Sequence, residues 1–157
     1  MMIDREPVTK AVIELLELVT GKPVGERTVP INPATGTPYA PPYTLLDPLD
    51  HLTDDHTLAD RHTTAISAYQ ATFVSGPAEG DDDTRGGGEQ AQWLADRGRK
   101  VIQRRTDGTP GYQHPLTIPG VHCDRREARE PGGTSDAGDA IITSVIRYRF
   151  FLEETGA

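Results

Sequence analysis

The sequence contains one cysteine, Cys123, among 157 residues. A single thiol excludes a disulfide within the chain, which is more typical of a reducing cytoplasm than of a secreted protein. Hydrophobic residues make up only 35% of the chain, and no apolar run approaches the roughly 20 residues that a membrane span requires. Residues 1–6 carry charges of both signs and lack an apolar signal core, so we expect neither an export signal nor a membrane anchor.

Positive charge is also scarce. The 16 Lys and Arg residues against 24 Asp and Glu residues give a formal net charge of −8. An acidic surface repels nucleic-acid phosphates, so a general role in binding DNA or RNA is disfavoured. The same charge suits a soluble subunit, or the wall of a channel through which DNA passes without specific binding.

Two segments have the periodicity of amphipathic helices. In residues 7–20 apolar side chains recur every three or four positions, and Gly21 closely followed by a proline marks the end of the segment. Residues 89–105 form the second segment, and its apolar stripe contains Gly98, where a glycine permits close approach to a sheet. Trp93 lies beside that stripe, which places it either at the margin of the core or at an interface.

Four segments have the character of strands. Residues 43–49 are interrupted by Pro48, which predicts an edge strand or a bulge. Residues 63–74 are partly apolar on both faces, and residues 116–126 are extended with a kink. Residues 140–153 are apolar on one side over the longest stretch, so we expect this strand to be central in the sheet.

The order of these elements is helix, strand, strand, helix, strand, strand. The simplest layered solution is a single α+β domain over residues 1–157, with a largely antiparallel four-stranded sheet and both helices packed on one face. The 16 glycines and 13 prolines predict long loops between the elements. The longest of them cover residues 25–42, 76–88 and 125–139.

No constellation of residues marks a catalytic site. His51, His56 and His62, with three aspartates between them, are of metal-ligand type, but their spacing matches no compact zinc pattern. We therefore interpret this tract as a solvated loop. His122 and Cys123 are adjacent, and neighbours in a strand point to opposite faces, which disfavours a nucleophile paired with its base. The sequence thus predicts a protein that is not an enzyme and that holds neither a metal nor a cofactor.

The layout of the chain resembles the tail-terminator and minor tail proteins of long-tailed bacteriophages, siphovirus-like or myovirus-like. The segments that carry the resemblance are, in order, VTKAVIELLELV, PPYTLLDPLD, AISAYQATFVSG, EQAQWLADRGRKVIQ and AIITSVIRYRFFLEE. The resemblance covers nearly the whole chain and is one of layout. It implies a structural subunit that forms a ring of six copies, caps the tail tube, ends its polymerisation and joins it to the head connector.

The same resemblance implies the partners and the location of the protein. The partners are further copies of the chain, the tail tube protein, and a head–tail connector or neck protein. DNA passes through the lumen of the ring without specific binding, and no membrane is involved. The location is the virion tail, assembled in the cytoplasm of the host bacterium.

Charged residues in loops and on the last strand are candidates for contacts between subunits. Arg147 and Arg149 lie on the less apolar side of the last strand, where they would meet the acidic loop of an adjacent copy. The full set of interface candidates is Asp81, Asp82, Asp83, Trp93, Arg97, Arg125, Arg126, Arg129, Arg147 and Arg149.

Three other functions remain open. A neck or head-completion protein would share these features and would differ in its position in the particle. A small ligand- or peptide-binding module would show an exposed strand edge. A small metal-dependent or cysteine enzyme is the third, and a metal bound tightly at His51, His56 and His62 would support it.

Overall fold

The computed structural model describes residues 3–55, 63–76, 88–131, 135–136 and 141–155. Within these residues the helices are α1 (Arg5–Thr20) and α2 (Gly88–Gly98), and α2 continues as a 3-10 helix (Arg99–Ile102). The strands are β1 (Val24–Glu26), β2 (Tyr43–Asp55), β3 (Thr63–Ser75), β4 (Val121–Arg129), β5 (Ser135–Asp136) and β6 (Ile141–Glu154). In the described part of the chain, none of the helices is long and apolar enough to cross a membrane.

The six described strands form one mixed sheet. Its order is β1-β2-β3-β6-β4, and the short β5 pairs with one end of β6. Strand β1 runs parallel to β2, whereas the other pairs are antiparallel. Strand β6 has β3 on one side and β4 on the other, so the longest apolar segment lies inside the sheet as expected.

The predicted four-stranded antiparallel sheet in the order α-β-β-α-β-β is wrong. Strand β1 has three residues and β5 has two, and both are too short to show an alternating pattern in the sequence. The parallel pairing of β1 with β2 makes the sheet mixed. Strand β4 also begins later than predicted: it starts at Val121 and not at residue 116.

Strand β2 is longer than predicted. It runs through Pro48 to Asp55, and its register against β3 shifts between Pro48 and His51. A bulge accommodates a proline because that residue has no amide hydrogen for the ladder. The predicted bulge is therefore confirmed. The alternative of an edge strand is wrong over residues 44–46, where β1 pairs with β2.

Helix α1 forms where the periodicity predicts it. Val8, Val12 and Leu16 recur at four-residue spacing and are fully buried. The helix ends at Gly21, whose φ of 68° is left-handed and whose amide donates a 2.9 Å hydrogen bond to the Glu17 carbonyl. Glycine adopts this backbone conformation without strain, so the sequence signal for the helix end has a direct physical cause.

Helix α2 approaches the sheet closely at its end. A Cβ atom on Gly98 would lie 2.4 Å from the Phe73 ring, closer than real side chains come. The Tyr148 hydroxyl donates a 2.8 Å hydrogen bond to the Gly98 carbonyl. The expected close approach is confirmed, whereas the predicted helix end at residue 105 is wrong because the 3-10 helix ends at Ile102.

Both helices pack on one face of the sheet, as predicted, and the core lies between these two layers. Alternate residues of the interior strands β3 and β6 point into it. They are Ala65, Ser67, Tyr69, Ala71 and Phe73 of β3, and Ile146, Tyr148, Phe150 and Leu152 of β6. The hydroxyls of Thr9 and Tyr69 are 2.8 Å apart and bond across the two layers, so the polar atoms of this contact are satisfied.

We expect Gly98→Ala to lower the free energy of unfolding by about 1–3 kcal/mol, the range for an overpacked core. The added methyl group would overlap the Phe73 ring and press on the Tyr148 hydroxyl. Equilibrium denaturation in urea measures the change. The control is Gln92→Ala at an exposed position of the same helix, which we expect to stay within about 0.5 kcal/mol. Equal stability of the two variants would contradict the close contact.

Candidate functional site on the open face of the sheet

The sheet face opposite the helices has no covering layer among the described residues. We call this surface the open face. Leu52 and Leu49 of β2 are 61% and 39% exposed there. The solvated face of a sheet is usually polar, so neighbouring exposed leucines indicate a contact surface. The open face comprises Asp47, Leu49, Asp50, Leu52, Ile66, Ala68, Gln70, Arg125, Glu127, Arg129, Arg147, Arg149 and Phe151.

An apolar row crosses three strands of the open face. Leu52 pairs with Ile66, and Ile66 pairs with Phe151. Cross-strand partners project from the same face of a sheet, so these three side chains lie side by side. The row ends on β4 at Arg125, whose guanidinium lies 5.4 Å from the centroid of the Phe151 ring.

Glu127 links two arginines beside this row. Its carboxylate is 2.7 Å from the Arg125 guanidinium and 3.4 Å from that of Arg149. The Arg149 guanidinium also lies 5.4 Å from the centroid of the Phe151 ring. Both arginine side chains are more than half exposed, so these ion pairs add little to stability. Their effect is to hold the two guanidinium groups over the aromatic ring.

A second pair of arginines lacks such ion pairs within the described part of the chain. Arg129 and Arg147 stand directly opposite each other on β4 and β6, and both are exposed. The Nε atom of Arg147 donates a 3.0 Å hydrogen bond to the Gln70 side chain. Within the described ranges, no carboxylate is at ion-pair distance from either arginine. Like charges directly opposite each other are unfavourable, so an acidic group from outside would be attracted here.

The other side of the open face is acidic. Asp47 of β2 pairs with Gln70, which in turn pairs with Arg147, so this row runs from a carboxylate to two arginines. Asp50 lines the same surface. The open face thus has one acidic side and one basic side, and a second copy of it in the opposite orientation would match it in charge.

A groove of about 640 Å³ lies between these two sides. Ile66 and Ala68 contribute apolar surface to it, and Leu49 and Leu52 border it along β2. The arginines of β4 and β6 border it on the other side. Apolar centres with polar rims and enriched arginine are typical of surfaces that bind other proteins.

The structure brings four of the predicted interface residues together. Arg125, Arg129, Arg147 and Arg149 all lie on the open face. Leu52 was not predicted as part of the site, because it lies in the histidine tract, whose polar residues favour a solvated loop. The signal that would have revealed Leu52 is its alternation with His51 and Thr53 in a continuing strand.

The acidic residues Asp81, Asp82 and Asp83 lie outside the described residues. Their predicted contact with Arg147 and Arg149 of an adjacent copy therefore stays a prediction. Within the chain, these two arginines have the contacts with Gln70 and Glu127 given above, and both remain exposed.

Arg126 is placed differently from the other arginines of its strand. It lies on the helix-covered face and is only 7% exposed, so it is not available on the surface as an interface residue. Its guanidinium donates to the carbonyls of Val101 and His114, each at 2.8 Å. Adjacent residues of a strand point to opposite faces, so the sequence itself indicates that Arg125 and Arg126 do not share a surface.

Trp93 and Arg97 lie on helix α2, in the helix layer and not on the open face. The Trp93 side chain is 41% exposed, and the Arg97 guanidinium lies 4.6 Å from the centroid of its ring. The two residues are one helical turn apart, the spacing at which side chains of a helix meet. Their role as interface residues stays a prediction.

The histidine tract has a structural role at its first residue. The ring nitrogens of His51 are 2.5 Å from the Ser67 hydroxyl and 2.9 Å from the Ile3 carbonyl, so both are engaged within the chain. His56 and His62 lie outside the described residues. In the part of the chain that the structure describes, no group of three or more His, Cys, Asp or Glu side chains is arranged to hold a metal ion.

No protein-family model matches the sequence, and no curated protein matches it either. The functional assignment therefore depends on the open face and on the layout of the chain.

We expect Leu52→Ser to change the free energy of unfolding by less than about 0.5 kcal/mol, because the side chain is mostly exposed in the single chain. The matched variant on the same strand is Leu46→Ala, at a fully buried position, which we expect to lose about 2–5 kcal/mol. Urea denaturation of dilute protein measures both. A large loss for Leu52→Ser would mean that this leucine contributes to the fold of the single chain.

Proposed function

We propose that this chain is a structural subunit, without enzymatic activity, of a phage or phage-like tail. Copies of it form a ring that caps the tail tube, ends its polymerisation and joins it to the head connector. The observation that carries the assembly is the open face, where Leu52 at the end of the apolar row is exposed and the Arg129–Arg147 pair has no carboxylate at ion-pair distance among the described residues. The location in a tail is supported by the resemblance in layout given above.

The charges of the open face favour a second copy of the chain as its occupant. Asp47 and Asp50 lie on the β2 side, and Arg129 and Arg147 lie on the β6 and β4 side. Among the described residues no carboxylate is at ion-pair distance from this arginine pair. When the acidic side of one copy meets the basic side of another, the partner supplies one. Charge complementarity of this kind selects the partner and sets the register of the contact.

Two arrangements satisfy these charges. A two-fold pair buries one open face against another, whereas a head-to-tail contact repeats from copy to copy and closes into a ring. The resemblance in layout favours the ring. The net charge of −8 per chain supports a ring whose lumen lets DNA pass, because an acidic wall repels phosphates.

The mass of the purified protein in solution tests the assembly. By light scattering at rising concentration, we expect a discrete oligomer of about six times the 17.1 kDa mass of the chain. An oligomer of two copies would identify the two-fold pair and contradict the ring.

If the protein is a monomer at every concentration, purified tail tubes are added and tube ends are examined by electron microscopy. Binding to the ends would retain the proposal, and free tube ends would overturn it.

Binding to purified tail tubes and to isolated heads distinguishes the terminator from a neck protein. A terminator binds the end of a finished tube in the absence of heads. A neck or head-completion protein binds the head connector in the absence of tubes. Binding to isolated heads alone would replace the proposed function with this alternative.

We expect the double substitution Arg147→Glu and Arg149→Glu to shift the protein from oligomer to monomer without unfolding it. Both side chains are exposed, and the substitution reverses the basic side of the open face. The matched control is Lys10→Glu with Lys100→Glu, which makes the same charge change at two exposed positions of the helix layer. Light scattering measures assembly, and circular dichroism verifies the fold. Unchanged assembly, or equal loss in the control, would reject this contact.

Salt provides an independent check on the same contact. Exposed charges are screened over about 8–10 Å at physiological ionic strength. We therefore expect assembly of the unmodified protein to weaken as sodium chloride is added, and the residual assembly of the arginine variant to respond less. A contact that strengthens with salt would be carried by the apolar row instead.

A further inference from the structure

Arg126 is a buried guanidinium without an ionic partner in the described ranges of the chain. One of its terminal nitrogens, Nη1, donates to two backbone carbonyls, but its Nε atom is buried and has no hydrogen-bond partner among the residues that the structure describes. No carboxylate among the described residues forms an ion pair with it. Burial lowers the pKa of this guanidinium, because the charged form loses the solvation of water. A buried cation of this kind is stabilised when an anion reaches it.

A second arginine shares the same aromatic ring. The guanidinium groups of Arg126 and Arg104 lie 4.4 and 4.7 Å from the centroid of the Tyr112 ring. The ring attracts each cation, but the two cations repel each other. The Tyr112 hydroxyl also accepts a 2.7 Å hydrogen bond from the Arg126 amide, which fixes the ring against strand β4.

These groups border a cavity of about 450 Å³ between β4 and the segment that follows the 3-10 helix. The segment is held in place by backbone bonds from Gln113 to Gln103 and from Arg105 to Gly111. Apolar side chains, among them Leu116, complete part of the wall. Asp124 also lines the cavity, but it forms no ion pair with either arginine in the described part of the chain.

We propose that this cavity binds a carboxylate, in the form of an acidic side chain on a polypeptide segment, with Arg126 and Arg104 as its cationic partners. The planar guanidinium matches a carboxylate through paired N–H donors. The apolar wall at Leu116 suits the short hydrocarbon stem of a glutamate. The site lies on the opposite side of β4 from the open face and is independent of the proposed function.

Cys123 is a built-in reporter of this site. It is the only cysteine of the chain, it is half-buried, and it lines the same cavity. Burial raises the pKa of its thiol, so alkylation of the folded protein by iodoacetamide is slow enough to follow. A carboxylate bound beside the thiol shields it and disfavours its thiolate form, and both effects slow the reaction.

The experiment measures the alkylation rate at constant pH and ionic strength. The probes are a blocked tripeptide with a central glutamate, the same peptide with glutamine, acetate and inorganic phosphate. We expect the glutamate peptide and acetate to slow alkylation in a saturable way, whereas the glutamine peptide has no effect. Protection by phosphate without protection by either carboxylate would overturn the assignment of a carboxylate. Absence of protection by any probe would overturn the site itself.

A variant links the protection to the arginines. Because Arg104 is exposed, Arg104→Gln leaves the fold intact, and we expect it to weaken protection by the glutamate peptide about tenfold, the effect of one charge-assisted hydrogen bond. The matched control is Arg105→Gln, at an adjacent exposed residue whose side chain bonds Thr109. Equal weakening in both variants would reduce the effect to general electrostatics and would overturn the role of Arg104.

Discussion

Two helices cover one face of the sheet, and the described part of the chain has no third layer for the other face. The contact that presses the helix layer onto the sheet is the one at Gly98, where the absence of a side chain lets helix α2 reach the Phe73 ring and the Tyr148 hydroxyl. Only 35% of the residues are hydrophobic, which suffices for one core of this kind. The apolar row lies on the other face because side chains that alternate with those of the core point away from it, and within the row Leu52 is exposed.

The parts of the fold that sequence reasoning predicts are those in which burial leaves a period in the chain. Helix α1 and strand β6 each bury one side, and their apolar residues recur accordingly. Strand β1 has only three residues, so it leaves no period. The second half of β2 was not predicted for a different reason: it follows a proline and a bulge, and the ring of its His51 is held by Ser67 and the Ile3 carbonyl. Such pairing is visible only in three dimensions.

The candidate site likewise has a part that the sequence predicts and a part that depends on how the strands pair. Charge alone identifies Arg129 and Arg147 as surface residues, but it does not show that they stand opposite each other, since that depends on the register between β4 and β6. The acidic side of the open face was not predicted, because Asp47 and Asp50 lie together on one surface only if β2 continues past Pro48. What sequence patterns cannot supply is the alignment of distant strands, and the open face consists of such alignments.

Strand β4 connects the two surfaces on which function is proposed. Its register against β6 shifts between Cys123 and Arg125, so Asp124 is an extra residue in the strand. Without this bulge, Asp124 would pair with Phe151, and regular alternation would turn Arg125 inward and Arg126 outward. With it, Arg125 lies over the Phe151 ring on the open face, and Arg126 enters the cavity beside Cys123. A single-residue bulge thus decides which arginine lies on the open face and which is buried beside the cavity, so both surfaces depend on one local irregularity of the sheet.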